Sequence, residues 1–198
     1  MRAMAPAPEV LADHTGKPRP VVAMPGLTYE QTRLGVAFHE AGHAVLSLAY
    51  GMRVITSEVI AWTDDTGRVT VTGNTAWQAQ NTPPWHFAAQ AAAGEIAHVT
   101  YLMVSGLWTP ERAAAGAAVH DREHAIEVLA QAGYRLGRRH VPEGGKSWGM
   151  VRGMARRKAG HLWGEIRTVA HAMDARTVLT GDEIAALTGL VNARGGAA

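Results

Sequence analysis

"VAFHEAGHAVLSLAYG", Val36 to Gly51, is one of the most apolar runs in the chain, yet His39, Glu40 and His43 stand in its middle. A helix is predicted around it. Thr28 and Gln31 form a Thr-x-x-Gln capping box at its start, and Gly51 is well placed to end it after Tyr50. At 3.6 residues per turn this is about six turns. Partly charged groups in such a setting are costly unless something satisfies them.

Residues four apart share one helix face, so His39 and His43 can direct their imidazoles at a common point. Glu40, one residue on, is rotated off that axis but can reach a water bound there. This is the His-Glu-x-x-His arrangement, in which two neutral imidazoles hold Zn²⁺ and the glutamate serves as general base. The competing reading is a pair of satisfied core histidines. Ala41 and Gly42 favour the site, because they let a neighbouring element come close. Gly42 also costs up to about 1 kcal/mol relative to Ala in a helix interior, so its presence calls for a packing or functional reason.

A catalytic zinc usually takes three protein ligands. The chain has no cysteine, so thiolate ligands and disulfides are excluded and the third ligand must be histidine or carboxylate. Glu95, His98, His120, Asp121, Glu123 and His124 are the candidates, and spacing does not choose among them.

Outward from this helix, residues 1–26 read as an irregular Pro- and Ala-rich arm and 27–198 as one domain. "VITSEVIAW" (Val54–Trp62), "TDDTG" (Thr63–Gly67) and "RVTVTG" (Arg68–Gly73) predict a β-hairpin. Helices are predicted over about Trp85–Val104, from Thr109-Pro110, over His120–Ala132, between about Ser147 and Met173, and after a Thr180/Glu183 capping box. The expected fold class is mainly α (α+β), with one small hairpin.

"VAFHEAGHAVLSL" resembles the active-site helix of the peptidase domain of FtsH-type zinc metalloproteases. "AAAGE" (Ala91–Glu95), "AAVHDREHA" (Ala117–Ala125) and "VLTGDEIAAL" (Val178–Leu187) are similar to later segments of that family, in the same order. The resemblance covers about Thr28 to the end. It implies a zincin-like helical peptidase domain, with Asp121 as third zinc ligand beside His39 and His43 and with Glu40 as base. The family's Asn-Asp is His-Asp here, which leaves His120 and His124 as competing or supporting groups. Its Pro-Arg-Gly hairpin turn is replaced by "TDDTG", so its substrate contacts there do not carry over. No Gly-x-x-x-x-Gly-Lys-Ser/Thr phosphate loop accompanies the domain.

The implied activity is a zinc-dependent, ATP-independent endopeptidase acting on peptides, unfolded segments or a specific loop, alone or with a separate delivery partner. The alternatives are a non-catalytic zinc-containing adaptor and a narrow-specificity metallopeptidase that cleaves a repressor. Glu40 argues against the adaptor, since a structural site needs no base. Glu95 is either an orienting carboxylate for a zinc-bound histidine or a solvent-facing residue. Trp77, Trp85 and His86 are either pocket lining or core rim.

The formal charge of +2 is too small to imply a nucleic-acid partner. No apolar stretch reaches spanning length and no secretion signal stands out, so no membrane and a cytoplasmic location are expected. Ring-forming oligomers are known in the family, but no feature of this sequence predicts one. Arg135, Arg138, Arg139, Lys146, Arg152, Arg156, Arg157 and Lys158 gather in "YRLGRRHVPEGGKSWGMVRGMARRK" (Tyr134–Lys158). The run is either a solvated face or a docking patch for an acidic partner.

Overall fold

The computed structural model describes residues 26–63, 69–79 and 81–194. The arm expected over 1–26, save Gly26, and the turn expected over 64–67 lie outside them. The elements are α1 (Tyr29–Ala49), β1 (Arg53–Thr63), β2 (Val69–Gln78), α2 (Pro84–Ala91), α3 (Ala93–Val104), α4 (Pro110–Ala115) and α5 (Val119–Gln131). They are followed by β3 (Leu136–Gly137), β4 (Lys146–Ser147), α6 (Trp148–His161), α7 (Trp163–Arg176), β5 (Val178–Thr180) and α8 (Gly181–Thr188). The chain is mainly helical with a small antiparallel sheet.

Helix α1 starts and stops where the sequence places it. The Gln31 amide donates to Thr28 Oγ1 at 3.2 Å and the Thr28 amide to Gln31 Oε1 at 3.0 Å, which closes the box. Gly51 takes φ +75°, a conformation costly for any residue with a Cβ. Between these ends α1 is the central strut of the fold, packed against α3, α7, β1 and β2. Ala37, Ala41, Ala44, Val45 and Leu46 are fully buried. Phe38 stacks on Tyr101 of α3 and Trp163 of α7, with ring centroids 4.9 and 5.3 Å away.

Two predicted helices are each broken in two. The segment expected as one helix over Trp85–Val104 breaks at Ala92, and the one expected over Ser147–Met173 breaks at Leu162 and runs on to Arg176. Neither residue is a breaker by propensity; tertiary packing decides. The first break lets α2 lie on α5 and α6 while α3 lies on α1, and the second lets α6 cover α2 and α3 while α7 returns to α1.

The hairpin is present, with β1 and β2 antiparallel from Arg53↔Gln78 to Thr63↔Val69 and an irregularity between Val54 and Thr56. It is not alone, which corrects the expectation of a single hairpin. Strand β5 pairs antiparallel with β1 at Thr56↔Thr180, Ser57↔Leu179 and Glu58↔Val178, giving the order β2-β1-β5 with β2 on an edge. Its three residues run straight into the Thr180/Glu183 capping box, too few to show a strand pattern. A two-residue parallel pair, β3 with β4, closes the loop after α5. No helix among the described residues is long and apolar enough to cross a membrane.

Gly42 has its packing reason. A Cβ there would lie 2.6 Å from the Ala93 carbonyl oxygen and 2.8 Å from Ala97 Cβ, so α1 and α3 touch backbone to backbone at this point. Gly42→Ala is therefore expected to destabilise the fold by about 1–3 kcal/mol, although alanine is the better helix former. Equilibrium denaturation of the two proteins checks this; a neutral or stabilising result would mean the helices separate without cost.

Candidate metal centre

Two elements bring three donor atoms together. His39 Nε2 and His43 Nε2, both from α1, lie 3.0 Å apart. Asp121 Oδ2, from the first turn of α5, lies 3.2 Å from each. Of the candidates for a third ligand, the structure brings only Asp121 into this cluster among the described residues.

The others are placed elsewhere. His120 Nε2 lies 3.0 Å from Asp121 Oδ1, the oxygen turned away from the two histidines, and so orients the carboxylate. Glu123 pairs with Arg122 and Arg138. The His124 ring meets the edge of Phe87 at 6.1 Å. His98 is buried behind His39, ring centroids 6.4 Å apart, and its Nε2 has no partner among the described residues. Burial first, then the neighbouring His39, pulls His98 down to about 3, so its ring is neutral.

Glu95 fits neither expectation. It is buried rather than solvent-facing, and its carboxylate meets Arg152 of α6 at 2.9 Å instead of a histidine. Trp77 packs on Phe87 and His86 stacks on Tyr50, both as rim of the core. Trp85 sits beneath Lys146 and against the edge of Tyr134.

The hydrogen bonding fixes how His43 presents itself. Its Nδ1 lies 3.0 Å from the carbonyl oxygen of Gln90 in α2. A carbonyl only accepts, so Nδ1 carries a proton and Nε2 is the nitrogen turned toward the cluster, where its lone pair can serve a metal once any proton on it has left. Burial opposes charge on His43, but the Asp121 carboxylate, Glu40 and the Gln90 carbonyl outweigh it and raise the ring to about 9. Asp121 behaves reciprocally: burial would raise it, yet His43 and the hydrogen bonds from His120, His39 and His43 hold it well below the usual carboxylate range.

Three donor atoms at this spacing repel unless positive charge lies among them, whether protons on the imidazoles or a metal ion that displaces those protons. Donors on a tetrahedron around Zn²⁺ at about 2.0–2.1 Å stand roughly 3.3 Å apart, and the spacing here is close to that. Two imidazoles and one carboxylate are also a donor set that zinc accepts. The room for it is kept by Gly94 of α3. A Cβ at Gly94 would stand 2.4 Å from His43 Nε2 and 2.5 Å from His39 Nε2, so any side chain there would occupy the cluster.

Glu40 lies beside this cluster and is almost fully buried. Thr75 of β2 donates its hydroxyl to Glu40 Oε2 at 2.7 Å, and Ser57 of β1 lies 2.8 Å behind Thr75. Gly73 of β2 makes the space, since a Cβ there would stand 2.4 Å from Glu40 Cγ. Gly73, Thr75, Gln90 and Gly94 were not singled out from the sequence. For Gly94 a signal existed: a glycine inside an alanine-rich helix carries the same cost that flagged Gly42.

Zinc stoichiometry separates the roles. Asp121→Ala is expected to lose the metal or to bind it at least 10-fold more weakly, and Gly94→Ala to lose it with a native helical spectrum. His120→Ala is expected to retain one zinc per chain with reduced affinity. Unchanged zinc content in Asp121→Ala would move the third ligand to His120 or His124.

Against known proteins, the chain matches no family model and no curated protein.

Proposed function

We propose that the chain is a zinc-dependent endopeptidase that works without ATP, with His39, His43 and Asp121 as metal ligands and Glu40 as general base. The observation that carries this reading is the convergence of three donor atoms beside a buried carboxylate that is not itself one of them. A structural zinc clip would have no use for that carboxylate. Zinc, when bound, supplies the Lewis acidity that makes a water acidic and a carbonyl electrophilic.

The chain's own groups do the rest. Glu40 accepts a proton from the attacking water and returns it to the departing amine, so one water is consumed and an acid and an amine are released. Thr75 holds the Glu40 carboxylate in place by its hydrogen bond, a positioning role. The Gln90 carbonyl and His120 hold His43 and Asp121 in the rotamers that the ligand set needs. Strand β2, on the sheet edge beside Glu40, gives an extended peptide a ladder to pair with, and this favours unfolded segments or loops as substrates.

Cleavage of casein, with zinc and without ATP, tests the proposal. Wild type is expected to cleave, and Glu40→Gln to lose at least 10²-fold in kcat while retaining one zinc. Absence of cleavage by wild type at full zinc occupancy would withdraw the broad-specificity reading and favour a protease confined to one substrate. Thr75→Val is expected to lower kcat about tenfold at unchanged KM and zinc content, with Thr75→Ser restoring it. Equal loss in the serine variant would remove the positioning role.

A further inference from the structure

A cluster of arginines surrounds a pocket apart from the metal cluster. Helix α5 and the loop after it line an open depression of about 670 Å³, with Arg122, Arg135, Arg138, Arg139 and His140 around an apolar floor that includes Ile126, Tyr134 and Leu136. No acidic side chain lines it. Glu123 engages Arg122 and Arg138 from outside. Arg135 and Arg139 have no side-chain partner among the described residues, and both are exposed.

The loop is built to hold this shape. Its ends are joined by the β3–β4 pairing, Leu136↔Lys146 and Gly137↔Ser147. Its turns are drawn in so tightly that a Cβ on Gly137 would stand 2.2 Å from the His140 carbonyl oxygen, and one on Gly145 2.1 Å from that of Arg135. Guanidinium groups carried on a fixed loop bind carboxylates with less ordering cost than the same groups on a flexible tail. Ile126 and Ala130 lie four apart on α5, on the same face as Arg122, so charge and apolar floor meet in one depression.

We infer that this pocket docks an acidic polypeptide segment, a bulky apolar side chain seated on the Ile126–Tyr134–Leu136 floor and flanking Asp or Glu carboxylates paired with Arg135 and Arg139. The apolar floor decides between carboxylate and phosphate partners. A nucleic-acid backbone would use the arginines but leave the floor empty. The inference does not rest on the peptidase reading. It adds a place where an acidic stretch of a substrate or partner is held near α5, the helix that carries Asp121.

Fluorescence anisotropy with the full chain and a labelled decapeptide, one phenylalanine flanked by aspartates and glutamates, tests it. Saturable binding is expected, weakened at least tenfold by Arg135→Ala/Arg139→Ala and by Ala130→Glu, which sets a carboxylate of the chain itself at the pocket. Replacing the phenylalanine by serine is expected to weaken binding severalfold. The altered residues are exposed, and unchanged thermal melting of both variants confirms that the fold is intact. No saturation, or equal binding by the folded variants, overturns the inference; so does a single-stranded oligonucleotide that binds more tightly than the peptide and is lost in the same variants.

Discussion

The structure depends on the close approach of α1 to α3. Where Gly42 meets the Ala93 carbonyl, the two backbones touch, and that contact brings the next residue, Gly94, directly over the two histidines. Small residues therefore do two things at once. They remove the side chains that would hold the helices apart, and they leave a hollow lined by lone pairs. Most of α1 buries apolar atoms; its polar triple survives burial because each member has a named partner, the Gln90 carbonyl for His43, the Asp121 carboxylate for both histidines, and Thr75 for Glu40.

Local chemistry was legible in the sequence and long-range chemistry was not. The caps of α1 and α8, the glycine after α1 and the hairpin are set by residues within a few positions of one another, and all stand as read. The pairing of His39 with His43 is equally local, one turn of one helix. Asp121 is different: spacing left it among six candidates, and only resemblance pointed to it. The carbonyl of Gln90 has no sequence signal at all, since every residue carries one and only the fold aims it. Glu95 was misread for a related reason. Its partner Arg152 is 57 positions along the chain, on a helix whose course depends on the break at Leu162.

That break and the one at Ala92 share a cause. A helix that continued straight through either point would carry its second half away from α1, and Phe38 would lose either Tyr101 or Trp163. The kinked path is what lets a chain of short helices wrap one central helix. It also explains why the site has walls from α1, α2, α3, α5 and β2, none of which could supply a ligand, a carbonyl, a hollow and a positioned base by itself.

Strand β1 takes part of its support from far along the chain. The Asn192 side chain donates to the Val54 carbonyl at 3.0 Å and accepts from the Val54 amide at 2.9 Å, across 138 positions, and β5 pairs just beyond. On a ribosome, a nascent chain that has emerged only as far as α5 already contains all three cluster residues and Glu40. It lacks the segment that covers the far side of β1. Through the last third of synthesis that strand is a bare edge, open to any extended chain nearby, and its closure waits for residue 192.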